Sequence, residues 1–424
     1  MRNEIIVAAV MIGISLIGSV VTRNDKKWAT VILLAAALAG SLVSGMGIRF
    51  REIVEGPFAF IDSALCICMA SIFIGLLNKT GTFERMLSLI CRIKSCFLKS
   101  LALTLFIALP AMLTGFYSAS IMTTGALAKK ALQNGGVDDG KTAGIICTSS
   151  LIGMLMPPNC IPAMIAANGA GSVLPTPYVG FFIPLLILSL PALLAECLIM
   201  LKPLSKASFE ASKGKDSGLI AMAILVLAVL ADGLLSSFVY LGGLAFIFFL
   251  GSIALIALNA GSWKVRKTLD YVSDALMMAI GPVALMLALG SFIEISSMSG
   301  VRGFFSLKIL PFSVENVMLA LMAIALAVGL FFGESLPAVL IAYAVFPIGW
   351  LANTVVVTGV ASALALVSML SLRGGIVDKS RTWLGLEHVG YRQVLRESWL
   401  PCILILTMGI VMVLFGDSMS FVIL

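Results

Sequence analysis

Residues 153–165 read GMLMPPNCIPAMI: a glycine, an adjacent proline pair, an asparagine and a third proline, set inside a long apolar run. A proline removes one helical hydrogen bond and clashes with the preceding turn, so Pro157-Pro158 splits the segment into two half-helices. The upstream half ends in carbonyls near Gly153 to Met156, which suit a cation. The downstream half begins with amides near Asn159, which suit an anion. The competing reading is a plain proline kink repaired by neighbouring helices. The run Thr148-Ser149-Ser150 just upstream and a small-residue turn at Gly115 favour the ion site.

The rest of the chain is built for lipid. Of 424 residues, 60% are hydrophobic and 12% charged, and the mean hydropathy is +1.11; soluble domains run at roughly 45–50% apolar and 25% charged. The expected class is an all-α polytopic membrane protein. Apolar runs near the length that crosses hydrocarbon are expected as spans at about 4–22, 28–47, 58–78, 143–170, 177–200, 218–232, 234–258, 272–293, 354–372 and 399–416. Two further stretches, about 101–127 and 314–350, are interrupted mid-way by Gly, Ser or Pro and read as re-entrant hairpins, which need a protein-lined or wet cavity.

Lys and Arg orient these spans. With the N-terminus outside, 23 of the 28 basic residues fall in inner loops, and Arg2, Arg49, Arg51, Arg302 and Lys308 remain outside. Such an asymmetry marks the cytoplasmic face. The net charge of +7 is therefore a loop effect, and no nucleic-acid surface is expected. Residues 1–22 lack a clean cleavage site and read as an uncleaved helix rather than a signal peptide. The eight cysteines have no zinc-like spacing with the single histidine, His388, so neither a metal centre nor a disulfide framework is expected.

The halves share a plan. Residues 1–47 form N-terminal scaffold helices, 48–201 a first repeat and 218–424 a second, joined by the hydrophilic linker 202–217. Each repeat carries a hairpin with a glycine at its tip, TGFYSAS at 114–120 and FGESLPA at 332–338. A break follows in each: Pro157 comes 42 residues after Gly115, and Arg373 comes 40 residues after Gly333. Hairpins entering from opposite faces make an inverted repeat, the plan of many secondary transporters.

The run TGFYSASIMTTGALAKKALQNGGVDDGKTAGIICTSSLIGMLMPPNCIPAMIAANGAG resembles the core of the large membrane subunit of tripartite ATP-independent periplasmic (TRAP) transporters. The likeness extends over nearly the whole chain, including the second hairpin GESLPAVLIAYAVFPIGWL. It implies a sodium-coupled, elevator-type carrier of small organic anions in the bacterial inner membrane, with no cofactor beyond Na+. It also implies a small four-helix membrane subunit and a periplasmic substrate-binding protein as partners. Carried over by position, the ion site uses Thr114, Gly115, Ser118, Gly153, Met156 and Pro158, with Gly333 and Glu334 at the second tip. Ser120 and Asn159 then lie where a substrate carboxylate meets a half-helix N-terminus, and Ser335 at the second tip and Arg373, outside the family pattern, are further substrate candidates. The alternatives are a stand-alone cation-coupled anion symporter and a scaffold that has lost transport.

The second half departs from the family pattern. Where a proline pair belongs, the chain has Leu372-Arg373-Gly374-Gly375 followed by polar residues. The segment is expected either to end in the cytoplasm at Arg373, the preferred reading, or to bring Arg373 into the cavity as a fixed cation. Asp62, Glu196, Asp232 and Glu294 sit near expected span ends and read as interfacial. Residues 135–142, GGVDDGKT, satisfy the Walker A pattern, but the strand that motif requires is missing upstream, so the match reads as coincidence. With no other catalytic constellation, enzymatic activity is not expected.

Overall fold

A computed structural model gives the fold and describes residues 2–22, 26–169, 178–209, 217–235, 243–261, 263, 265–334, 336–340, 353–372, 374–416 and 418–419. Among these the secondary structure is helical throughout, and seven helices are long and apolar enough to cross a membrane. The protein is a multi-pass membrane protein.

Helices α1 (Arg2–Val21) and α2 (Lys26–Val43) pack on each other. A short α3 (Phe50–Glu55) and a 3-10 turn (Gly56–Phe60) lead into α4 (Ile61–Lys79) and an amphipathic α5 (Thr82–Cys91). The first hairpin rises as α6 (Cys96–Thr114). It returns as α7 (Tyr117–Ser120), a π-turn (Ile121–Gly125) and α8 (Ala126–Asn134). An interrupted helix follows, α9 (Asp139–Leu155) and α10 (Ile161–Gly169), then α11 (Phe182–Ile199) and the short α12 (Leu201–Ser205).

Helices α13 (Ser217–Leu235) and α14 (Leu244–Leu258) follow. A long α15 (Val265–Met298) and short α16 (Val301–Ile309) precede α17 (Val314–Phe332), a turn at Gly333-Glu334 and a helical segment α18 at 336–340. A second interrupted helix, α19 (Thr354–Leu370) and α20 (Ile376–Trp383), ends in α21 (Tyr391–Phe415). Residues 341–352, which complete the expected second hairpin, lie outside the described residues.

Packing sorts the helices into two groups. In one, α15 lies against α2 and α4, and α14 covers α4. In the other, α9, α11 and α19 surround α21, with α6 against α9 and α17 against α19. Between helices, glycine permits backbone contact where hydrocarbon offers no hydrophobic drive for association. Gly153 meets the Ala108 backbone, so a methyl group there would run into the Ala108 carbonyl; Gly409 meets Gly359 in the same way across α21 and α19.

In the second interrupted segment α19 stops at Leu370, the chain turns, and α20 resumes with Ile376, Val377 and Ser380 buried. Its polar residues are tolerable because α20 packs on α9, α7 and α21, against protein rather than lipid. Glu196 and Asp232, expected near span ends, are 0% and 4% exposed. Packing by other helices, invisible in a hydropathy trace, buries them.

Candidate functional site

The first hairpin tip and the first break form one unit. Gly115 closes α6 with φ of +81°, a left-handed conformation that glycine adopts at no steric cost. Its carbonyl accepts from the Ile161 amide at 3.4 Å, and the Met112 carbonyl accepts from the Asn159 amide at 3.3 Å. The Asn159 side chain completes the clamp: Nδ2 donates to the Leu113 carbonyl at 2.6 Å, while Oδ1 accepts from the Cys66 thiol at 3.2 Å. The amides expected to be free near Asn159 are therefore committed to the carbonyls that end α6. The expected site residues Thr114, Gly115, Gly153, Met156, Pro158 and Asn159 lie on these two facing segments.

Ser120 also has an internal role. Pro110 sits inside α6 and disturbs the ladder around it. Ser120 Oγ accepts from the Ala111 amide at 2.8 Å, and Thr124 Oγ1 donates to the Ile107 carbonyl at 3.1 Å. The returning arm thus satisfies backbone groups of the rising arm, as membrane depth requires. Thr114 donates back to the Pro110 carbonyl at 2.6 Å, and Ser118 is half-buried with no side-chain hydrogen bond to a described residue.

The second break is built from glycine instead of proline. Gly374 has φ of +68°, and an added methyl at Gly375 would stand 2.5 Å from the Ser368 carbonyl. Asp378 accepts from the Gly374 amide at 3.0 Å and pins the turn to the start of α20. Tyr391 Oη donates to the Leu370 carbonyl at 2.8 Å, covering the end of α19. Nothing comparable covers the carbonyls of Met154, Leu155 and Met156 among the described residues. Two superficially similar breaks therefore end differently.

Both tips and the second break converge on Tyr117. Its Oη lies 2.9 Å from Glu334 Oε1 and 3.2 Å from the Gly374 carbonyl. Lys379 Nζ stands 5.1 Å from the Tyr117 ring centre and 5.2 Å from that of Trp383, within cation–π range of both. Gly333 and Glu334 are thereby brought to the first tip, while Ser335 and Arg373 lie outside the described residues. Tyr117 and Lys379 were missed in the sequence: an aromatic beside a small-residue tip and a lysine in a polar octet carry no periodic signal.

The Walker-like loop joins α8 to α9, with no strand among the described residues. Asp138 Oδ2 caps α9 by accepting from Gly140 at 3.0 Å, so a carboxylate stands where a P-loop would seat phosphate. At that loop Gln133 and His388 hold the Asp139 carboxyl below its ordinary value, with the Gln133 amide the larger cause.

No protein-family model matches the sequence, and no curated protein matches it as a relative. Among solved structures, the fold is similar to the Alcanivorax borkumensis YdaH transporter, whose crystal structure reveals an unusual topology. The match covers 86% of this chain and 88% of the other, with a TM-score of 0.58 and 11% identity. The likeness is one of fold, that of a multi-pass helical membrane protein.

Proposed function

We propose that the chain is the membrane subunit of a secondary carrier that moves a small organic anion inward, coupled to sodium, by elevator-type alternating access. The halves then form an inverted repeat, with the first hairpin reached from the cytoplasm and the second from outside. The observation that carries the reading is the meeting of both hairpin tips with the second break at Tyr117, since transporters of this plan bind cargo where interrupted elements of both halves meet.

Each end supports a different part of the task. The uncovered carbonyls of Met154, Leu155 and Met156, with the neighbouring Thr114 and Gly115, suit a hard cation. Because the α10 amides of Asn159 and Ile161 are bonded to the hairpin, the anion is better served by a side-chain cation, for which Lys379 is the described candidate and Arg373 the undescribed one. The resemblance to the TRAP large subunit adds a four-helix partner subunit and a periplasmic binding protein.

Reconstitution tests this. Liposomes holding the chain are expected to take up a labelled dicarboxylate under an inward sodium gradient when its binding protein and small subunit are supplied. Uptake without the binding protein would support a stand-alone symporter. Absence of uptake under any gradient and with any partner would sink the carrier reading.

A further inference from the structure

Glu196 occupies the last turn of α11, inside a membrane-length helix, and is 0% exposed. It has no cationic partner among the described residues, and its Oε2 is buried without a hydrogen bond. An ionised carboxylate in that position would be an uncompensated buried charge.

Hydrogen counting indicates which form fits. Thr148 Oγ1 lies 2.8 Å from Glu196 Oε1 and 2.6 Å from the Gly144 carbonyl. A threonine hydroxyl has one hydrogen to give, and a backbone carbonyl can only accept. With that hydrogen on Gly144, the contact with Glu196 is made by a hydrogen on the carboxyl itself. Oε2 is then a carbonyl-type oxygen, for which the lack of a partner costs far less than it does for half of a full charge.

The surroundings supply no other charge to balance it. Cys147 and Thr148 face it from α9, Cys402 from α21 and Cys197 from its own helix. On α6, Thr104 meets Cys197, and Lys99 gives its ammonium to the carbonyls of Ser205 and Ala207. α19 has no titratable residue, and α12 carries only Lys202. The remaining charges on α21 lie in its first two turns, as Arg392, Arg396 and Glu397, where Glu397 rests over Gly144.

We infer that Glu196 is an exchangeable proton-binding site, occupied in this packed arrangement and emptied when α11 and α9 part. Water on one side of the membrane supplies the proton, an O–H bond forms at Glu196, and that bond later breaks to water on the other side. Nothing else is consumed. Resting on the carrier reading, this adds a proton to the coupling cycle beside sodium.

Infrared spectroscopy of the full chain in liposomes tests the site without knowledge of the substrate. At neutral pH the wild type is expected to show the carbonyl stretch of a protonated carboxyl. The band should move in heavy water, fade in alkali and vanish in Glu196→Gln. The difference between the two proteins separates Glu196 from Asp232, the other buried acid named above. Thr148→Val should keep the band but shift it as the hydrogen bond is lost. Identical neutral-pH spectra for wild type and Glu196→Gln would overturn the proposal, as would a band indifferent to heavy water, which would mark a sealed structural acid. These spectra decide the proton site even if no liposome transports anything.

Discussion

At the scale of single residues, the hairpin shows how polar side chains at membrane depth do structural work before any functional work. Ser120 and Ser118 sit two positions apart on the same arm, yet Ser120 Oγ accepts from the Ala111 amide beside Pro110, whereas the Ser118 hydroxyl bonds to no described group. Removing the Ser120 hydroxyl strands a buried amide, a loss of about 1–3 kcal/mol. Ser120→Ala should therefore lower the unfolding midpoint in detergent clearly, while Ser118→Ala should leave it unchanged. Equal midpoints for the two variants would show that the hairpin arms are not joined as described. The difference was out of reach in the sequence, where both serines fit a hairpin tip equally well and only the position of Pro110 across the hairpin separates them.

At the scale of elements, local chemistry was legible and long-range chemistry was not. The first break is written in Pro157-Pro158, because proline acts on its own turn wherever it stands. The second break rests on Gly374 and Gly375, and glycine only permits a turn; Tyr391 and Asp378, brought in by folding, make it. The joint between α8, α9 and the 384–390 loop carries a pH signature that can be worked out. Gln133 and His388 hold the Asp139 carboxyl below its ordinary value of 3.8. A lowered carboxyl contributes stability that is complete above the unfolded value and is lost as pH falls through the folded one. Asp139→Asn should therefore be less stable than wild type by a constant margin at neutral pH, with the two melting curves converging only below about pH 4. Convergence well above that pH would show that the Asp139 carboxyl is not held low. Lys129, which donates to the Leu384 carbonyl at the end of α20, ties the same joint to the first hairpin.

At the scale of the whole molecule, composition alone defined the class, since a chain that is 60% hydrophobic and 12% charged has few soluble folds open to it. The distribution of Lys and Arg went further and proposed a direction for every span, which the packing of helices leaves open because an all-helical bundle reads the same from either face. Cys96 supplies the missing vector. It is exposed at the start of α6, in the basic stretch expected on the cytoplasmic face, while Cys66, Cys147, Cys160 and Cys197 are buried. A membrane-impermeant thiol reagent should leave Cys96 unlabelled in right-side-out cells and modify it in inverted vesicles, with the vesicle signal falling sharply in Cys96→Ser. Labelling of Cys96 from outside the cell would reverse every span, place the first hairpin on the outer side and move Lys79 to Lys99 to the face that positive charge avoids.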